Sequence, residues 1–275
     1  MIIHNLDNNM KSSWLYTLLA KPQLYLFTIL KHTAFVGLVT LILCYWYFHS
    51  SYNQIKIPTI THTLISVAIG FLLVFRTQTA YDRWSTASKN FYELQAHFTL
   101  LMFRVKNIGN NYYSEIKIHV DSYCDNFALY LNEIDLNKSL VYEKLYIESL
   151  GNILSTLSLI KKNSPQIDAS DINYLVKVIN DILIISSSCS RIKNTPIPKS
   201  YEMHIKVSVF LYICSLPFGL FYDMGLWSVL MVMFVYYIMA GIEIISREIE
   251  NPFEDAPNDL PVKEYMNKIK NIFKN

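Results

Sequence analysis

"SVAIGFLLVFRTQTAYDRW", residues 66–84, decides how this chain is built. The apolar part of the segment runs from about His62 to Phe75, as in a helix about to cross a membrane. It then passes, with neither Gly nor Pro to end it, into Arg76, Thr77, Gln78, Asp82 and Arg83. From Thr63 to Trp84 such a helix is about 33 Å long at 1.5 Å per residue. A bilayer's hydrocarbon core is only about 30 Å thick. The helix is therefore expected to outlast the membrane and emerge from it still helical.

Composition supports that setting. Of 275 residues, 52% are hydrophobic and 17% charged, with only 7 Gly, and mean hydropathy is +0.23. The apolar excess is concentrated in a few segments, the mark of a membrane protein. A net charge of +2, with no basic aromatic-bearing stripe, argues against nucleic acid. Cys44, Cys124, Cys189 and Cys214 are scattered without a C-x-x-C pair, so neither a disulfide framework nor a zinc site is expected. The opening "MIIHNLDNNMKSSW" is polar and does not read as a signal peptide.

Three further apolar runs accompany the opening stretch: "TAFVGLVTLILCYWYF" (33–48), "VSVFLYICSLPFGLFY" (207–222) and "MGLWSVLMVMFVYYIMAGI" (224–242). Several fall short of the roughly 20 residues a span requires, and length alone would allow buried core helices. Charge distribution decides. Only Lys56, of the 24 Lys and Arg, falls between the first two runs, and none falls between the last two. That asymmetry predicts four spans, two short external loops and both termini cytoplasmic. Tyr45, Trp46, Tyr47, Tyr52, Tyr222 and Trp227 gather at the external ends as interface anchors.

Between Trp84 and Ser200 the apolar residues recur at i, i+3, i+4 and i+7, as in "NFYELQAHFTLLMFRVKNI". "NSPQIDAS" (163–170) reads as a loop, with Asp168 or Ser170 capping the next helix. The fold class expected is all-α: four transmembrane helices continuous with a cytoplasmic helical bundle. The divisions are 1–83 (interfacial segment and two spans), 84–200 (cytoplasmic helices), 201–246 (two spans) and 247–275 (a cytoplasmic C-terminal strap).

Catalytic patterns are missing. The seven His occur singly, without a metal pair, and there is no G-x-S-x-G, P-loop or G-x-G-x-x-G. Glu243, near the end of the last run, is expected to pair with Arg247 one turn on. An intramembrane enzyme would need a paired nucleophile and base or a ligand cluster, so an enzyme is not expected.

Four motifs then fall in order. "LLVFRTQTAYDRW" (72–84), "NTPIPKSY" (194–201), "LPFGL" (216–220) and "IENPFEDAPNDLP" (249–261) resemble those of the bestrophin family. The resemblance covers nearly the whole chain. It implies a homopentameric ion channel in the lipid bilayer, with a central pore passing monovalent ions and no cofactor. It places an apolar neck on the second span at Val67, Phe71 and Phe75. Positions i, i+4 and i+8 lie on nearly one helix face, so five copies would stack three apolar rings. A second constriction falls at Ile197, between Pro196 and Pro198, which restrict the backbone on both sides. Without the resemblance, the same residues could as well face lipid or a neighbouring span, and Ile197 could be an ordinary loop residue.

An apolar constriction passes a partly hydrated ion and closes by dewetting. Phe rings presented edge-on favour an anion and face-on rings a cation. An aromatic residue at the middle neck position resembles the animal, chloride-conducting pattern, so a chloride-type anion channel is expected. A sodium-type cation channel is the alternative, and a non-conducting membrane scaffold a more distant one. Arg76 and Arg83 are candidates for concentrating anions below the neck, unless Asp82 and nearby acids engage them. In animal bestrophins the last motif is a calcium-binding clasp. Glu250, Asn251, Asp255 and Asp259 would supply its oxygens here. However, Ala256 stands where the clasp has a ligating Asp, Glu248 where it has an amide, and Glu254 where a Gly follows "NPF". The segment is accordingly read as a proline-pinned strap rather than a calcium site.

Overall fold

The computed structural model describes residues 24–49, 57–163, 169–254 and 258–272. Among them every regular element is a helix: α1 (Leu24–His49), α2 (Thr59–Ile108), α3 (Asn110–Asn132), α4 (Leu136–Asn163), α5 (Ala169–Asn194), α6 (Lys199–Met224), α7 (Trp227–Glu250) and α8 (Val262–Ile272). The chain divides into two compact units. Unit 1 takes the described residues up to Thr77 together with Pro198–Ile245, and unit 2 takes Gln78–Ile197 with the described residues from Ser246 on.

The opening stretch is indeed one helix. α2 contains 50 residues, about 75 Å at 1.5 Å per residue. In unit 1 its Ile69 and Leu73 are buried against Ile205, Tyr212, Ile213 and Leu216 of α6 and Val232 of α7. α6 continues through Pro217, whose missing N–H removes the helical partner of the Ile213 carbonyl. Nearby, His62 donates through Nε2 to the Ser215 carbonyl at 3.0 Å. The imidazole lies so close to Gly219 that a Cβ there would meet Nδ1 at 2.7 Å. α6 ends at Gly225, whose φ of 52° favours glycine and whose N–H donates to the Phe221 carbonyl at 3.0 Å. α1 lies alongside α7 in the opposite sense: Gly37 faces Met233 and Gly241 faces Ile29.

Unit 2 is a helical bundle around one apolar core. Phe91, Leu94, Phe98, Leu101 and Val105 of α2 are fully buried with Ile116, Val120, Tyr123 and Phe127 of α3, the i, i+3, i+4, i+7 spacing that a helix needs to bury one face. α3 packs on α4 and α8, and α4 and α3 both on α5. Tyr123 and Tyr130 reach across to Ser186 and Ser190 of α5 with O···O distances of 2.6 Å. These bonds satisfy hydroxyls that would otherwise be costly to bury.

Two expectations change. Residues 247–275 are not only a strap: Val262, Met266 and Ile269 lie buried on one face of α8. Their i, i+4, i+7 spacing was the available signal. Among the described residues five helices are long and apolar enough to cross a membrane, the four expected spans and Ala169–Asn194. Its buried stripe of Ile172, Leu175, Ile179 and Ile182 belongs to the core of unit 2. The second change concerns Tyr47, which is 3% exposed and packs on Phe221 with ring centroids 5.2 Å apart. It is a core residue, whereas Tyr45, Trp46, Tyr222 and Trp227 are exposed. Tyr52 and the cap candidate Asp168 lie outside the described residues; α5 begins at Ala169.

Candidate functional site

α2 has two faces within unit 1. Ile69, Leu73 and Arg76 are buried, while Val67, Phe71 and Phe75 are 54%, 60% and 61% exposed in the protomer. Helix periodicity produces this split: 67, 71 and 75 sit one turn apart, opposite the residues that pack on α6 and α7. The three neck candidates thus form an open apolar stripe. Farther along that stripe of the helix come Gln78 and Asp82, both exposed, with Gln78 Nε2 donating to Asp82 Oδ1 at 2.9 Å.

Neither arginine has the open placement that the vestibule reading required. Arg76 is 0% exposed. Its side chain belongs to the buried face because it follows Leu73 by three residues. Arg83 is a helix-capping residue instead. Its Nε donates to the Glu250 carbonyl at 3.0 Å, Nη1 to the Thr195 carbonyl at 2.7 Å and Nη2 to the Ile192 carbonyl at 2.7 Å. These are C-terminal carbonyls of α7 and α5, which lack helical partners and carry the negative end of the dipole. Burial lowers the Arg83 pKa from its usual value, and the Glu250 carboxylate opposes that shift. Sequence order alone could suggest acids as partners, but not a set of three backbone carbonyls.

Ile197 is half-buried in unit 2, and its N–H donates to Glu250 Oε1 at 3.2 Å. Glu250 is 8% exposed, so the isoleucine expected at the second constriction is tethered to a buried carboxylate. After it, the strap holds through Phe253, which is buried edge-on against Phe91, and Leu260. Trp84 Nε1 also donates to the Asn258 carbonyl at 3.1 Å.

The calcium candidates do not converge. Glu250 is engaged by Ile197, and Asn251 Nδ2 donates to Glu254 Oε1 at 3.0 Å. Asp259 is half-buried, and Asp255 lies outside the described residues. Among the described residues no three His, Cys, Asp or Glu side chains are grouped as a metal set. Glu243 meets Lys206 Nζ of α6 at 3.7 Å, a neighbour that the expected pairing with Arg247 overlooked.

Comparison with known proteins follows the same lines. The profile of the "Bacterial/Fungal Bestrophin protein" family matches residues 8–117 and 132–275. A "Voltage-dependent anion channel-forming protein" of Nostoc sp. is 29% identical over 79% of this chain and 78% of its own length. The voltage-dependent anion channel-forming protein YneE of Escherichia coli is 26% identical over 82% of this chain and 77% of its own. The crystal structure of a bacterial bestrophin homologue from Klebsiella pneumoniae, phased with zinc, superposes with a TM-score of 0.76 at 18% identity. It covers 89% of this chain and 95% of that one. A single-substitution variant of that homologue reaches a TM-score of 0.81, over 91% and 97% of the two chains.

Proposed function

Because the chain belongs to the bacterial and fungal bestrophin family, we propose that it is a homopentameric channel of the bacterial inner membrane that conducts chloride or similar monovalent anions. The chain is a multi-pass membrane protein, and in this reading α1, α6, α7 and the apolar part of α2 are its four spans. Both termini are then cytoplasmic. The observation that carries the proposal is the open stripe of Val67, Phe71 and Phe75 on a helix whose opposite face is buried. Five copies would enclose three apolar rings.

Passage through such a neck is passive. Apolar rings offer no fixed charge to hold an ion, so it crosses partly hydrated, and narrowing closes the path by dewetting. Phe edges turned to the axis would supply the weak preference for anions. Ile197, held by Glu250, forms the second constriction. In this reading conduction proceeds without a calcium cofactor; Glu250 accepts from the Ile197 N–H and Asn251 donates to Glu254.

A second reading, conduction of monovalent cations, is favoured by one observation. The polar residues that continue the open stripe are Gln78 and Asp82, not arginines, and a ring of carboxylates attracts cations. Liposome flux run side by side with chloride and sodium separates the two. Chloride flux, with a reversal potential tracking the chloride gradient, is expected. A reversal potential that follows sodium overturns the anion reading, and absence of any flux overturns the channel.

A further inference from the structure

Unit 1 contains a cavity of about 470 Å³ among α1, α6 and α7, well away in sequence from the neck residues of α2. Its wall is mostly apolar, with Phe35, Val39, Phe210, Ile213 and Pro217 prominent; Thr40 and Tyr236 also line it, and His32, Lys206 and Glu243 are its basic and acidic groups. Lys206 and Glu243 share one end. Lys206 Nζ lies 3.7 Å from Glu243 Oε1 and is bonded to Glu202 as well. α1 runs opposite to α7, with Ile29 beside Gly241 and Gly37 beside Met233, so His32 lines the groove roughly one and a half turns from Glu243. At the other end Cys44 Sγ lies 3.9 Å from the Gly225 carbonyl, beyond Leu43. From His32 to Leu43 along α1, and from Lys206 to Pro217 along α6, the groove is about 16 Å long. That is about one leaflet of a roughly 30 Å hydrocarbon core.

We propose that this groove holds one acyl chain of a cytoplasmic-leaflet phospholipid whose head group carries both a phosphate and a primary ammonium. A pocket of this size with a mostly apolar wall and a few polar groups at one end fits an amphiphile. The chain lies along Phe35, Val39, Phe210 and Ile213. Lys206 and His32 face the phosphate, and Glu243 faces the ammonium. A head group of both signs can pair with each member of the Lys206–Glu243 pair. A purely anionic one would meet the carboxylates of Glu243 and Glu202 beside the lysine. A quaternary ammonium has no N–H to donate to Glu243. The choice of leaflet rests on the proposed topology; the binding itself does not depend on which ion is conducted.

Native mass spectrometry of the purified oligomer tests this, with equal amounts of phosphatidylethanolamine, phosphatidylglycerol and phosphatidylcholine added. The ethanolamine lipid should be retained at about one per chain, as one groove per protomer requires, and several-fold over the other two. Cys214 lines the groove and is its exposed thiol. Cys214→Trp should fill the groove and abolish retention, and Val39→Trp serves as a second blocking variant if the first does not assemble. Lys206→Met combined with Glu243→Gln should retain lipid but lose the preference among head groups. Equal retention of all three lipids by the unaltered protein overturns the proposal. So does undiminished retention in both blocked variants, or no retained lipid at all, the result if a neighbouring copy seals the groove. Ion flux measured on the same samples keeps the two readings separate: lipid retained without flux would fault the channel, and flux without lipid would fault the groove.

Discussion

The carboxylate of Glu250 accepts the backbone N–H of Ile197 at 3.2 Å, tying the last residue of α7 to the isoleucine between two prolines. The prolines restrict backbone dihedrals on both sides, and Glu250 supplies a fixed partner for the one N–H between them. Glu250→Ala leaves that N–H unsatisfied and frees the segment. Conductance should rise and the ranking of anions by permeability should flatten, with Glu250→Gln intermediate because its amide oxygen can still accept. Bi-ionic reversal potentials would measure this. If Ile197→Ala gives the same change, the double variant should add little, since coupled neighbours are not additive.

Arg83 separates capping of two helices from action through its charge. Its three hydrogen bonds to carbonyls of Ile192, Thr195 and Glu250 require a planar fork. Arg83→Lys keeps the charge but cannot span the three acceptors. It should cost roughly 2–4 kcal/mol of stability, from charge-assisted bonds lost, and appear as a lower melting temperature of the detergent-solubilised oligomer. If Arg83 acted mainly through its field, the lysine variant would melt normally and conduct normally.

Phe71 occupies the middle of the open stripe and is 60% exposed in the protomer. Because it packs little within its own chain, Phe71→Ala should leave the melting temperature nearly unchanged while widening the neck. Single-channel conductance should increase. An unchanged conductance would mean that Phe71 lies outside the constriction.

The same helix marks what the sequence could reveal. Its continuation beyond the apolar stretch and the helical bundle of unit 2 were legible, because apolar periodicity and the lack of breakers both act locally; that it runs unbroken from Thr59 to Ile108 was not. The split of α2 into a buried and an open face was legible only as a spacing. What covers each face depends on α6 and α7, more than a hundred residues away. Arg76 and Arg83 were misread for that reason. Polar residues after an apolar run look solvated, yet one is buried and the other caps two helices. In the groove on α1, α6 and α7 only Pro217, within "LPFGL", belongs to a quoted motif; most of its other residues are ordinary members of apolar runs.

Cys124 and Tyr123 on α3 connect burial to pH. Burial raises both pKa values above their usual range, with the bond from Ser186 only partly offsetting the shift for Tyr123. In the folded chain both groups therefore keep their protons, while the unfolded chain loses them near about pH 8.5 for the thiol and about pH 10 for the phenol. Above those values the unfolded state binds fewer protons, so stability falls as pH rises. The melting temperature should decline from about pH 8.5 upward, where the free thiol begins to ionise, and Cys124→Ala should remove part of the early decline, the remainder staying with the buried Cys189, whose pKa burial also raises. A flat profile in the unaltered protein would contradict the burial of these groups.

Two glycines in unit 1 distinguish tight packing from apparent tightness. A Cβ on Gly37 would lie 2.4 Å from Met233 Sδ, whereas one on Gly219 would lie 2.7 Å from His62 Nδ1 and 2.8 Å from Cε1. Distance alone ranks Gly37 as the worse site. But Met233 is a flexible thioether that can move aside, while the His62 ring is rigid and held by its bond to the Ser215 carbonyl. Gly219→Ala should therefore cost about 1–3 kcal/mol, the usual range for overpacking, and Gly37→Ala less. Combining Gly219→Ala with His62→Ala should recover part of the loss, because removing the ring removes the clash. Melting temperatures of the four oligomers in one detergent measure both differences, and a Gly37→Ala variant less stable than Gly219→Ala would show that the His62 ring is not fixed in place.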